Sequence, residues 1–487
     1  MESALNSGRR RDLGGTVRAL AGRVPLVLWV LIALGIELRV ALALGYQPAA
    51  MTFDDSYVYV EMADIELFSD AARTTGYSML LRLLHAVSDD LAVTIAFQHL
   101  LGIATGALLY ATFRRLGTPV WVAACAAAGA LLSLDQIFLE HTLASEAPFT
   151  FGFSAVLYCA VRALGEPRPV WGALTTQWLW LGAAGAALGL LAWVRPVAIP
   201  LVPLLVLWGA LALPGGVSVR IGRAALAGGA AAALLVVYAA LHSAANGYFG
   251  ITRASGWALY SRTAEFADCS RFEPPAGTEE LCESTPEKER FGPDFYAWDR
   301  GSPAVRLYGF LPRGNDEVGA FGRAAILAQP LDYLRVVARD SLRYYVPSLD
   351  ERPYTGPGWD VIDIERRAPR TEVDVTARVN RYYEDESVEI TGVAATLGDV
   401  QDVLRLHHWL LALGTLAAVA GAVLARGSLR AGLVLILGLS AALLVVPVAT
   451  AIWGARYAVP ITGPLLGAAT TGIWLMVTRY RERSATS

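Results

Sequence analysis

Lysine is almost missing from this chain: all but one of its 40 basic residues are arginine, Lys288 being the exception. Charge of either sign is scarce, at 17% of residues with a net charge of −3, so the broad basic surface needed for nucleic-acid binding is absent. The four cysteines have no zinc-type spacing, and no HExxH, P-loop, GxGxxG or tandem repeat occurs. Zinc hydrolysis and nucleotide-dependent chemistry therefore have no support in the sequence.

What fills the chain instead is apolar. Hydrophobic residues make up 55% of it, and runs of membrane-spanning length recur near 25–46, 91–113, 119–139, 147–163, 176–194, 196–213, 224–245, 407–425, 431–450 and 458–478. These predict an all-α polytopic membrane protein with about ten transmembrane helices. Arg195-Pro196 divides the long block between Trp178 and Leu213 into two short spans joined by a turn.

The arginines orient the spans. With the N-terminus inside, Arg9, Arg10, Arg11, Arg114, Arg115, Arg426 and Arg430 fall on the cytoplasmic side, whereas the opposite short loops hold only Arg73, Arg82, Arg195 and Arg456. Both termini are then cytoplasmic in a cell-membrane protein. Reading the first run as a signal peptide would spoil this parity.

Between 246 and 405 the composition changes, with 46 of the 83 charged residues in this third of the chain. It reads as an extracytoplasmic soluble domain, α+β or mainly helical, inserted before the last three spans. The division is thus 1–245 (a transmembrane module with an outer loop at 47–90), 246–405 (soluble domain) and 406–487 (last helices and cytoplasmic tail). Cys269 and Cys282 bracket a short loop and could pair in an oxidising compartment, while Cys125 and Cys159 lie within spans. Arg335, Arg339 and Arg343 recur every four residues, as a stripe on a helix lying on the membrane or on an ordinary solvated face.

Two adjacent acids, Asp54 and Asp55, follow the first apolar run on the outer side. "TFDD" also fits a capping box, with Thr52 as N-cap and Asp55 near N3. Within the first span, Glu37 and Arg39 are costly in lipid and are expected to face the bundle interior, paired with other spans.

The order of parts resembles the GT-C superfamily of polyprenyl-phosphate-dependent glycosyltransferases, which includes protein O-mannosyltransferases, aminoarabinose transferases and actinobacterial arabinosyl- and mannosyltransferases. The resemblance rests on "ELRVAL" (Arg39), "FDDSYVY" (Asp54, Asp55, Tyr57), "RTTGYS" (Arg73, Gly76, Tyr77), "LEHTLASEAPF" (Glu140, His141, Ser145, Glu146), "LAWVRPVAIP" (Arg195, Pro196) and "ARYAVP" (Arg456, Tyr457, Pro460). It covers the membrane part but not the soluble domain. Asp55 stands where the family more often has Glu, and Ser78 where it commonly has Pro.

The resemblance implies transfer of a sugar from a polyprenyl-phosphate donor to a hydroxyl of an envelope lipid, glycan or protein on the extracytoplasmic side, with inversion. Asp54 is the leading general base and Asp55 the substitute. Arg73, Arg195 and Arg456 would hold the donor phosphate, with Tyr57, Tyr77, His141 and Glu146 as further substrate-binding residues. The chemistry asks for the same types: a carboxylate near the acceptor hydroxyl, and guanidiniums where phosphate charge grows. Two adjacent carboxylates could also share a divalent cation, although the reading requires no cofactor. Arginine and alanine richness suggests a high-GC bacterial source, and mannose or arabinose follows by association. A transporter or flippase of a lipid-linked precursor is the competing reading, and a non-catalytic assembly subunit a third.

Overall fold

The structure is a computed structural model that describes residues 25–51, 55–171, 174–349, 362–366, 379–383, 388–405 and 407–486. Asp54 and Thr52 lie outside the described residues, so the proposed base and the N-cap have no structural account.

The chain is built from helices. A first long helix, α1 (Leu26–Gly45), leads through β1 (Tyr46–Gln47) to the short α2 (Asp55–Asp64) and α3 (Gly76–His85). Then come α4 (Leu91–Arg115), α5 (Val120–Leu131), α6 (Leu134–His141), α7 (Glu146–Ala163), a small ladder of β2 (Pro169–Trp171) and β3 (Leu174–Thr175), α8 (Thr176–Val194), α9 (Leu201–Ala212) and α10 (Val217–Asn246). A unit of shorter helices follows: α11 (Ser255–Ala264), α12 (Pro293–Trp298), α13 (Pro303–Tyr308), α14 (Asn315–Ala328) and α15 (Pro330–Leu342). After β4 (Glu389–Ile390), the helices α16 (Gly392–Leu404), α17 (His408–Leu424), α18 (Gly427–Thr450) and α19 (Val459–Thr486) complete the chain.

Six helical segments among the described residues are long and apolar enough to cross a membrane, or eight when two bent pairs each count as one span, against the ten expected. One bent pair is α5 and α6, inclined at 43°. Ser133 restarts the helix there, its hydroxyl accepting from the Gln136 amide at 3.3 Å. The division at Arg195-Pro196 is observed: α8 ends at Val194, Arg195 is extended, and Pro196 opens a single 3-10 turn before α9.

The helices approach closely where small residues meet, as expected where lipid supplies no hydrophobic drive for association. A Cβ on Gly185 of α8 would lie 2.1 Å from the Ala227 carbonyl oxygen of α10. The main core runs through α4, α5, α7, α8, α18 and α19, with Phe113, Phe153, Leu188 and Leu439 fully buried.

The α11–α15 unit has its own core of Trp257, Tyr260, Tyr296 and Phe321, and Cys269 and Cys282 form a disulfide with Cα atoms 5.9 Å apart. It also grips the end of α18. Arg262 Nη1 donates to the Val448 carbonyl at 3.2 Å, Tyr333 to Ala449 at 2.9 Å and Tyr344 to Gly454 at 3.1 Å. The arginine stripe is divided among separate partners: Arg335 pairs with Asp332, Arg339 with Glu265 and Asp340, and Arg343 lies over the Trp453 ring.

The last part of the segment read as the soluble domain contacts the earlier helices, and one expectation, that for Glu37, differs from what is observed. The stretch 388–405 packs back on the transmembrane part: β4 pairs with β1, the Thr391 amide donates to Gly45, and Gln401 and Arg405 bond Asp135. Arg39 faces inward, but Glu37 is exposed. At 100° per residue, positions 37 and 39 lie about 200° apart around the helix and cannot share a face.

Candidate active site

Asp55 opens α2, where a helix N-terminus favours a carboxylate. Its Oδ1 accepts from Arg73 Nε at 2.6 Å, and its Oδ2 from Arg456 Nη1 at 2.7 Å. Arg456 Nη1 also reaches Glu146 Oε1 at 3.4 Å, and the same oxygen accepts from Arg195. Three arginines and two acids from five separated parts of the chain thus alternate in one network.

Each member is placed by local structure. Asp70 accepts from the Ala72 and Arg73 amides at 2.9 and 2.6 Å, fixing the turn that carries Arg73. Arg195 sits at the break enforced by Pro196, and Glu146 lies in the first turn of α7. Arg456 lies in the 3-10 turn Ala455–Ala458, directly after the segment held by Tyr344 and Tyr333.

The network borders a cavity of about 650 Å³, lined by Asp55, Tyr59, Arg73, Arg195, Arg456 and Tyr457 on its charged side. One wall is apolar and comes from span ends, with Val197, Ile199, Val446 and Pro447. Ser255, Ser261 and Trp298 from the α11–α15 unit form another wall, and the exposed Arg323 lies at the rim. The Arg73 guanidinium is 6.0 Å from the Trp298 ring centroid.

The electrostatics follow from burial. Asp55 is only 8% exposed, and burial opposes its ionisation, but the charges and hydrogen bonds of Arg73 and Arg456 prevail and hold the carboxyl well below the usual range. Burial pulls the Arg73 guanidinium down, but Asp55 and Asp70 more than offset this and its pKa is raised. Burial together with the Asp55 charge pushes the Tyr59 hydroxyl up to about 12. With Asp70, 3.6 Å from Arg73, three carboxylates stand against the three guanidiniums, so the network carries no excess charge.

The other residues singled out in the sequence lie elsewhere. Tyr57 is half-buried on α2, away from the cavity lining. Tyr77 is fully buried against Tyr59 and donates to Gln98 Oε1 at 2.7 Å. His141 is fully buried and faces His99 and the Tyr46 carbonyl rather than the cavity. Among the described residues no group of three or more His, Cys, Asp or Glu stands together to hold a metal ion. Sequence reasoning missed Tyr59, which bonds Ser145 at 3.1 Å, and the Trp298 wall. Glu140, named in the motif order without a role of its own, is a fully buried carboxylate bound by Arg39 Nε at 2.7 Å and Nη2 at 2.9 Å.

No family model matches the sequence, and no curated protein matches it. Two solved structures are similar. One is the Saccharomyces cerevisiae protein O-mannosyltransferase Pmt1-Pmt2 complex bound to the sugar donor, with 15% identity over 57% of this chain and a TM-score of 0.36. This chain spans 39% of the length of that one. The other is ArnT from Cupriavidus metallidurans bound to undecaprenyl phosphate, with 17% identity over 92% of this chain and 79% of that one, again with a TM-score of 0.36. The superposition is too loose to transfer any residue role.

Proposed function

We propose that this chain is an integral-membrane glycosyltransferase that moves a sugar from a polyprenyl-phosphate donor to an acceptor hydroxyl on the extracytoplasmic side. The observation that supports this most is the Arg73–Asp55–Arg456–Glu146–Arg195 network at one side of a cavity whose adjoining wall is apolar. A phosphodiester carries one negative charge, and the three guanidiniums of Arg73, Arg195 and Arg456 are the donors grouped to receive it. The lipid chain runs along Val197, Ile199 and Val446, and the sugar lies toward Trp298, Ser255 and Ser261.

In this mechanism the arginines hold the phosphate by forked, charge-assisted hydrogen bonds. As the bond to the anomeric carbon breaks, the lipid phosphate gains a second charge, and the same guanidiniums, with Arg323 at the rim, stabilise it more strongly than the ground state. Asp55, held ionised by two arginines, is a weak base and acts as their anchor. Asp54 accepts the proton of the acceptor hydroxyl, and attack opposite the departing phosphate inverts the anomeric centre. Glu146 anchors Arg195 and Arg456 from behind the cavity wall.

Purified protein supplied with polyprenyl-phosphate mannose or arabinose and extracted envelope acceptors tests this. Transfer by wild type and its loss in Arg456→Ala support the proposal. Absence of transfer from every donor, together with carriage of a lipid-linked precursor across vesicles, would replace it with the transporter reading.

A further inference from the structure

Helix α15 is inside out for a water-facing unit. At 100° per residue, Leu331, Leu334, Ala338 and Leu342 fall within an arc of about 80°, and Asp340 lies on the opposite side of the helix. The three leucines are 74%, 58% and 51% exposed, whereas Asp340 is fully buried. The buried carboxylate accepts from Arg262 Nη1 at 2.9 Å, and Arg339, at the side of the helix, donates to Glu265 and Asp340 at 2.7 and 2.8 Å. In water the arrangement is ordinarily the reverse, with the apolar stripe against the core and the charges outside.

The place of α15 in the fold says what covers the stripe. Its inward face is bonded to the last turn of α18, a helix long and apolar enough to cross a membrane. Tyr333 donates to the Ala449 carbonyl at 2.9 Å, and Arg262, which also holds Asp340, donates to Val448 at 3.2 Å. Val445 of the same span is exposed and so faces lipid, and the rise of an α-helix puts Ala449 only about 6 Å beyond it along the axis. The helix therefore lies at the level where the span leaves the hydrocarbon. Exposed Leu327 and Val346 flank α15 at its two ends. Arg335, at the edge of the stripe, is also exposed, and its side chain is long enough to carry the charge to the headgroup layer.

We propose that the leucine stripe of α15 is a membrane-surface contact, resting in the lipid beside the end of α18 with Leu331, Leu334 and Leu342 among the acyl chains and Arg335 at the phosphates. This contact seats the α11–α15 unit over the cavity. The bonds from Tyr333 and Arg262 hold the turn of α18 that directly follows the cavity residues Val446 and Pro447, and the unit itself supplies the wall of Ser255, Ser261 and Trp298. The seat is the same whether or not the chain transfers sugar.

Spin labels on the full-length protein test this, in nanodiscs of phosphatidylethanolamine and phosphatidylglycerol and with the free cysteines Cys125 and Cys159 replaced by alanine. A label at Leu334→Cys is expected to collide with oxygen and to be shielded from a water-soluble nickel chelate, reading a depth of about 5–10 Å below the headgroup surface. Val434→Cys, exposed on α18, supplies the lipid reference, and Lys288→Cys, exposed in the α11–α15 unit, the aqueous one. Leu331→Cys is expected to give the same reading, and carries the test alone if Leu334→Cys does not fold. Labels as open to the chelate as the one at Lys288→Cys overturn the proposal. Labels shielded from both reagents overturn it too, since that is the result of a protein partner, such as a second copy of this chain, packed on the stripe.

Discussion

Arg456 Nη1 lies 2.7 Å from Asp55 Oδ2, although the two residues stand 401 positions apart in the chain. One belongs to the turn before the last helix and the other to the first turn of α2, so this contact closes the two ends of the fold over the cavity. Both are about nine-tenths buried, and each has a second partner, Arg73 for Asp55 and Glu146 for Arg456.

Asp55→Asn is expected to destabilise the protein by about 3 kcal/mol, because it removes the closest carboxylate of two buried guanidiniums and leaves them with Asp70 and Glu146 at 3.6 and 3.4 Å. Its pH dependence has a definite sign. The folded carboxyl titrates below its unfolded value, so its stabilisation is fully present above about pH 4 and is lost as pH falls through the depressed value. Melting temperatures of both proteins from neutral to acid pH check this: the gap between them should be widest at neutral pH and narrow only on acidification.

Arginine at these positions is not interchangeable with lysine. Arg73 reaches Asp55 Oδ1 with both Nε and Nη2 at 2.6 Å, a fork that an ammonium cannot reproduce. Arg73→Lys and Arg456→Ala are each expected to weaken binding of a short-chain polyprenyl phosphate by about 1.5–3 kcal/mol, or roughly ten- to a hundredfold. Calorimetric titration in detergent measures the loss, and equal affinities in all three proteins would show that these arginines do not hold the phosphate.

Arg39 and Glu140 serve stability whatever the chemistry. Removing one partner of this fully enclosed pair, as in Glu140→Gln, is expected to cost about 3–5 kcal/mol. Gly102→Ala should report on the same place, since its Cβ would fall 1.9 Å from Glu140 Oε1. A loss of about 1–3 kcal/mol from overpacking is expected, and thermal unfolding in one detergent ranks both variants against wild type.

Arg73, Arg195 and Arg456 each interrupt or flank an apolar run, where a charge needs a reason, and the structure brings the three together around Asp55 and Glu146. The sequence could not say which acid they meet, since that depends on how helices far apart in the chain pack. Arg39 and Glu140 were unreadable as a pair for the same reason: each lies 101 positions from its partner in an apolar setting. Hydropathy read 119–139 as a single span, whereas the 43° bend after Leu131 is set by the Ser133 cap and not by polarity. The hold of Tyr333 and Tyr344 on the end of α18 runs through backbone carbonyls, which leave no side-chain pattern to read.

Transfer of labelled sugar from a polyprenyl monophosphate to an envelope acceptor, compared between wild type and Asp54→Asn, addresses the proposed mechanism most directly. Loss of the general base should lower the rate by about 10²–10⁴-fold while affinity for polyprenyl phosphate and the melting temperature stay unchanged. An Asp54→Asn protein that folds, binds the lipid phosphate and transfers sugar at the wild-type rate would contradict it.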